Sequence, residues 1–420
     1  MKRIPPAAWI CAAICLLCFL LFLLPNARGA TSESLLAQTS IDEPVTYPYV
    51  VRMLTPASGL KDLWERWIIY GDYHYGYPFY FLSALAVLPV RLIHGARFTD
   101  FTGLNLLLLR QLISVLPMLI ACAWMVYLAT GYRRAWESAA LLALLLSARG
   151  IARNGIQWWH PDALSVLAVV AVIHFLHRDR LRFGRDFLFA AAACGVAAGI
   201  KLAGFFFFLA VGGVLAAGLA RRVLTPGLAL LKGGLFVLVM AGSLVLSNPV
   251  VYNAGAREEI LAIQLYKTTE LDQGYSHDVS ADYAKGPEHW EWTLTRWFAS
   301  PLLLGFLGIS LLAGCLWGPD KLLNRLILGW ILPYAVYLLW FVSVKPDHYW
   351  LPVFVPLYAC FFNLPRILAG TAWGGRWYGK ALTAGVYLLA VGFVVINFVR
   401  PESGLLAQFG AAMQVPGSLW

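Results

Sequence analysis

Apolar residues fall in blocks along this chain, separated by short charged connections. The blocks lie at 9–24, 105–129, 137–148, 161–177, 187–200, 202–220, 228–247, 301–317, 326–344, 350–364 and 381–399. Most approach the length a helix needs to cross a bilayer, and no long barrel-type alternation is visible. A further block at 79–93 is short, broken by Pro89 and flanked by Arg91, His94 and Arg97. The pattern predicts an all-α polytopic membrane protein. Only two stretches, 31–104 and 248–298, are long and polar, and neither is long enough to be a separate domain.

Charge decides how the block at 79–93 is counted. If it does not cross, five short loops share one face and carry fourteen basic residues. These are Arg133 and Arg134; Arg178, Arg180, Arg182 and Arg185; Arg221, Arg222 and Lys232; Lys321 and Arg325; and Arg366, Arg376 and Lys380. The short loops of the other face then carry only Arg149, Arg153, Lys201 and Lys345. If 79–93 crosses, the two sets change sides. The positive-inside rule favours the first arrangement. The expectation is about eleven transmembrane helices in one domain over 1–400. Residues 31–104 form a first extracytoplasmic loop with juxtamembrane helices. A second outer loop spans 248–298, and a short extracytoplasmic tail spans 401–420. The run after Met1-Lys2-Arg3 reads as an uncleaved first helix rather than a signal peptide cut near Ala27-Arg28-Gly29.

Composition agrees. The chain has 420 residues, is 60% hydrophobic and 13% charged, with a mean hydropathy of +0.69. The net charge of +10 comes from short clusters between apolar runs, which suits loops facing anionic lipid rather than a nucleic-acid groove. All seven cysteines lie in apolar runs, with neither disulfide nor zinc spacing. There is no Walker loop, GxSxG, HExxH or dinucleotide fingerprint in a fitting context.

The candidate chemistry gathers on the outer face, where most of the 22 acidic residues lie. Asp42-Glu43 follows the first helix. Either carboxylate suits proton abstraction at the membrane surface, and either suits a helix N-terminus ahead of Pro44; one of the pair could serve each role. Asp72-Tyr73-His74 offers two ligands for a divalent metal or a substrate contact; a hydrogen-bonded His in an aromatic loop is the plainer alternative. Arg149 and Arg153, four residues apart, could face one anion if helical, ahead of His160-Pro161-Asp162. Capping by Asp162 and snorkelling by the arginines is the alternative. Lys201 stands alone between two apolar runs and calls for a partner such as a lipid phosphate, or else snorkels. Lys345, His348 and Tyr349 offer a cation, an imidazole and an aromatic at headgroup depth, against an ordinary aromatic belt.

In this order, these residues resemble the polytopic glycosyltransferases of the GT-C fold, which include protein O-mannosyltransferases and the aminoarabinose transferase of lipid A. The resemblance runs over about 40–365. It rests on Asp42-Glu43, on Tyr70 to Pro78 leading into 79–93, and on Arg110. It also rests on Arg153 with Pro161-Asp162, on Gly199 to Lys201, and on His348 to Pro356. It implies an integral, multi-pass protein of a bacterial cell membrane that moves a sugar from a polyprenyl-phosphate carrier to an extracytoplasmic glycan, lipid or protein. It casts Asp42, Glu43 and Asp162 as catalytic carboxylates, with Asp42 or Glu43 as the base, and Arg153, Lys201 and Arg149 as the donor-phosphate site. Asp72, His74, His348, Tyr349 and Lys345 become substrate contacts, with Asp72 and His74 as candidate metal ligands. A transporter or flippase of lipid-linked sugars is the rival reading. It would place ionisable groups near the bilayer midplane.

Overall fold

The computed structural model describes residues 4–40, 42–274, 285–287, 290–344, 346–372 and 374–415, with backbone alone at 290–292. Every apolar block forms helix, and the described residues contain no strand. Among the described residues, seven helical segments are long and apolar enough to cross a membrane: Pro6–Asn26, Tyr77–Thr130, Ala203–Ala220, Pro226–Ser247, Lys321–Trp340, Asp347–Ala369 and Trp377–Val399. Ala135–Ser147 and Pro301–Trp317 are shorter apolar helices. Asp162–Asp179 and Arg185–Lys201 complete the bundle with charged residues at both ends. The protein is an integral, multi-pass membrane protein. Starts are written locally: Thr225 and Ser300 accept a hydrogen bond from the first turn, and each precedes a proline that suits that turn.

The Tyr77–Thr130 segment is not one straight rod. Its first helix, Tyr77–His94, ends at Gly95, whose positive φ of 62° stops the helix. A 3₁₀ stretch, Gly95–Phe101, turns the chain back, and Thr102–Leu109 returns it. Both ends of this hairpin reach Trp159. Phe79 stacks on its ring at 5.1 Å, and Arg110 binds the Glu43 carboxylate that also accepts the Trp159 backbone N–H. The hairpin therefore leaves and rejoins the same end of the bundle. At Arg110–Val115 the helix widens to π geometry, which turns the Arg110 side chain toward Glu43.

Two apolar cores result. The larger joins the long helices. The smaller is aromatic and built mainly from the first polar stretch, with Tyr47, Tyr70, Tyr80 and Phe98 packed against Trp159 and Ile200. This second core holds the 31–104 stretch rigidly against the helix ends.

Candidate active site

The loop of residues 155–161 lies at the centre of the site. Asn26 binds Gly155 O and Gln157 N at 2.8 and 2.6 Å, Glu43 takes Trp159 N at 3.0 Å, and Ser114 takes His160 N at 3.2 Å. Three elements thus fix a loop that presents Trp158, His160 and Asp162. Trp158 Nε1 donates to Asp42 Oδ2 at 3.2 Å, and its ring lies 4.9 Å from His160 and 4.8 Å from His348. Asp162, 1% exposed, pairs Oδ1 with Lys201 and sets Oδ2 against His160 Nδ1. The Lys201 ammonium also lies 4.7 Å over the Tyr349 ring. Asp42, Asp162, Lys201, His348 and Tyr349, far apart in sequence, therefore share one cluster.

The two adjacent carboxylates differ sharply. Glu43 is fully buried and held by Arg110 through two hydrogen bonds of 2.8 and 2.6 Å. Arg110 Nη1 donates to both Asn26 O and Arg28 O. Asp42 is half-buried and has the Trp158 indole as its one side-chain partner among the described residues.

Asp72 is also committed. Oδ1 accepts from His74 N at 3.1 Å and meets His74 Nδ1 at 2.6 Å, while Oδ2 is held by the Tyr80 hydroxyl. Burial raises its pKa, but the bonds from His74 and Tyr80 outweigh that, so it stays below the usual carboxylate range. Both Asp72 oxygens already have partners in His74 and Tyr80. A better donor set is His160, Asp162 and His348, whose ligand atoms all lie within 4.8 Å of one another. His160 Nδ1 and Asp162 Oδ2 are buried and face each other in a close pair. Burial, opposed by Asp162, keeps the His160 pKa below its ordinary value, which favours the neutral, ligating imidazole. Tyr75 OH holds the other ring nitrogen at 2.7 Å, as the outer partner of a metal-bound His would.

Arg149 and Arg153 do lie on one helix, Arg149–Asn154, but they do not face one anion. Arg149 is sealed at 3% exposure and donates to Ser403 Oγ at 2.6 Å and Thr295 O at 2.8 Å. Arg153 lies 4.3 Å over Trp297 and 3.7 Å from Asp347. The loop at 148–149 starts the helix so that the two side chains diverge toward different neighbours. Lys345 lies outside the described residues.

The sequence reading missed Lys267. It sits on the Ala254–Gln273 helix, donates to His74 O at 2.5 Å and lies 4.8 Å over Tyr75. The available signal was a basic residue in a stretch whose other charges are mainly acidic. Burial first, then the nearby Lys201, push its pKa down to about 8. His160 was noted in sequence but not chosen.

Gly76 closes the site. Its N–H donates to Ile200 O at 3.3 Å, and a Cβ there would lie 1.5 Å from Gly199 O. The backbone of the Tyr70–Pro78 stretch thus rests directly on the turn that carries Lys201. Gly76→Ala is expected to push these two segments apart, lowering the melting temperature in detergent and abolishing whatever the site does. An unchanged melting temperature would show that the contact can be spared.

No family model and no curated protein matches the chain. Among solved structures, ArnT from Cupriavidus metallidurans bound to undecaprenyl phosphate aligns with a TM-score of 0.50 at 14% identity, over 97% of this chain and 75% of that one. The fold is GT-C-like. The GT-C-like arrangement covers the first polar stretch as well as the helices, since nearly the whole chain aligns. At this identity the likeness speaks to architecture, and the side chains above carry the chemical argument.

Proposed function

We propose that this protein is a membrane glycosyltransferase that moves a sugar from a polyprenyl-phosphate carrier to an extracytoplasmic glycan, lipid or protein. The observation that carries the reading is one cluster at one end of the bundle. It holds a half-buried, lightly engaged carboxylate, Asp42, next to a buried Asp162–Lys201 pair on an aromatic floor. The neighbour's ligand, undecaprenyl phosphate, is of the matching chemical class.

Asp42 is the base in this reading. It takes the proton of the acceptor hydroxyl as that oxygen attacks the anomeric carbon. Lys201, held by Asp162, and Lys267 face the carrier phosphate and stabilise the charge that grows on it as the sugar leaves. Asp162 thereby becomes a positioning residue for Lys201. Glu43, held by Arg110, and Arg149, buried and bonded to Ser403 and Thr295, hold the scaffold. Arg153, His348 and Tyr349 border the donor. A divalent ion held by His160, Asp162 and His348 would add positive charge near the phosphate. The outer-face assignment follows from the basic loops of the opposite end, and a bacterial cell membrane is the setting expected for such a carrier. The transporter reading is less well supported, because the buried ionisable groups sit at helix ends.

Wild-type protein in membranes, given a panel of polyprenyl-phosphate sugars, is expected to transfer sugar. Absence of transfer with every donor, together with movement of the carrier across the bilayer, would replace this reading with the transporter. A pH profile gives a second check. The Lys267 cation is present below about pH 8 and is lost above it. The apparent KM for the carrier is therefore expected to rise as pH passes through about 8. Lys267→Arg should hold KM flat to higher pH. Superimposable profiles would remove Lys267 from carrier binding.

A further inference from the structure

A cavity lies well away from this site. It has a volume of about 870 Å³ and lies at the other end of the bundle. Its walls include Thr130 and Gly131, His174 and His177, and Arg366. The first two pairs lie at the far ends of helices whose near ends carry Arg110 and Asp162. The Asp162–Asp179 helix alone separates the two regions by about 27 Å, close to the thickness of a bilayer core.

We propose that this cavity binds a phosphate-bearing anion, independently of the activity proposed above. Six arginines line it: Arg133, Arg134, Arg178, Arg180, Arg182 and Arg366. Its two carboxylates are already engaged. Glu137 is held by Arg366, with Arg134 at 3.9 Å, and Asp320 meets His177 at 2.7 Å. Arg133, Arg180 and Arg182 have no ion-pair partner among the described residues. Two buried nitrogens have no hydrogen-bond partner among the described residues: Arg366 Nη2, whose sister nitrogens bind Glu137 and Ala129 O, and His174 Nδ1. A buried guanidinium N–H without an acceptor is unfavourable, and an anion in the cavity would satisfy it.

Positive-inside sorting explains why arginines occupy these loops, but not why separate loops converge on one concavity. The convergence is built. In the turn after Asp179, Arg180, Leu181 and Phe183 all have positive φ, as does Tyr132 in the facing loop. The Asp179 carboxylate holds the turn by accepting from Phe183 N at 2.8 Å and Gly184 N at 2.9 Å. Backbone in this region is unfavourable for residues with a Cβ and persists where surrounding structure enforces it. It sets Arg180 and Arg182 at the cavity wall. A concave, positive site with low-dielectric walls at headgroup depth suits the fork geometry of arginine on phosphate. The phosphate could belong to an anionic lipid headgroup or to a soluble phosphorylated molecule.

The test uses the full chain in nanodiscs of phosphatidylcholine, with or without phosphatidylglycerol. Native mass spectrometry reads retained phosphatidylglycerol, and a thermal shift with added inorganic pyrophosphate reads soluble phosphate. Arg180→Ala/Arg182→Ala removes two arginines that have no ion-pair partner. Arg221→Ala/Arg222→Ala removes the same charge from an exposed turn outside the cavity. The cavity variant is expected to weaken binding of one probe by about tenfold while the control leaves it unchanged. Loss of lipid retention assigns the site to a headgroup, and loss of the pyrophosphate shift assigns it to a soluble ligand. Equal loss in both variants, or no binding of either probe by wild type, would overturn the proposal.

Discussion

Asp42→Asn is expected to lower sugar transfer by about 10²- to 10⁴-fold, the usual contribution of a positioned general base. The substitution keeps the size of the side chain, and its amide oxygen can still accept from Trp158 Nε1 at 3.2 Å. Folding should therefore persist. The check is transfer from a polyprenyl-phosphate sugar in membranes at matched expression, with the melting temperature measured alongside. A large loss of transfer at unchanged melting temperature assigns Asp42 to the chemistry. Equal transfer by variant and wild type removes it, and the base must then be sought elsewhere in the cluster.

Glu43→Ala is expected to behave in the opposite way. It leaves the Arg110 guanidinium, 2% exposed, without its carboxylate. Breaking a buried ion pair from one side costs about 3–5 kcal/mol, because the remaining charge stays desolvated. Trp159 N loses its acceptor at the same time. The expected result is a sharp fall in folded protein recovered from membranes. Glu43→Gln/Arg110→Met, which removes both charges, should recover much of that loss. Normal recovery of Glu43→Ala would mean that the pair does not hold the first loop. The two adjacent carboxylates are thus expected to separate by experiment: one variant should fold without activity, and the other should fail to fold.

The effect of Glu43→Ala should spread because of what this pair joins. Arg110 reaches back to Asn26 O and Arg28 O at the end of the first helix, and Glu43 reaches forward to the 155–161 loop. Three segments distant in sequence depend on one buried contact. The π turn at Arg110–Val115 belongs to the same arrangement and has no signature that hydrophobic periodicity would reveal.

The sequence by itself determined the helices, their approximate ends and the sorting of charge between two faces. Each of these follows from local physics: apolar runs exclude water along their length, and basic loops stay on one side of a bilayer. It also pointed to Asp42, Asp162, Lys201 and His348, because ionisable residues at helix ends on the sparsely basic face are few. Only the tertiary structure decided which of those groups meet. Asp162 and Lys201 pair because the turn at Lys201 is held against Gly76, where no side chain would fit. Arg149 and Arg153 share a helix yet part company, since packing against Ser403 and Trp297 outweighs their spacing. Lys267 joins the site from 193 residues beyond His74. The arginine cavity needs separate loops to converge. Contacts of this kind depend on how helices pack against one another, and neither hydrophobic period nor charge count encodes that.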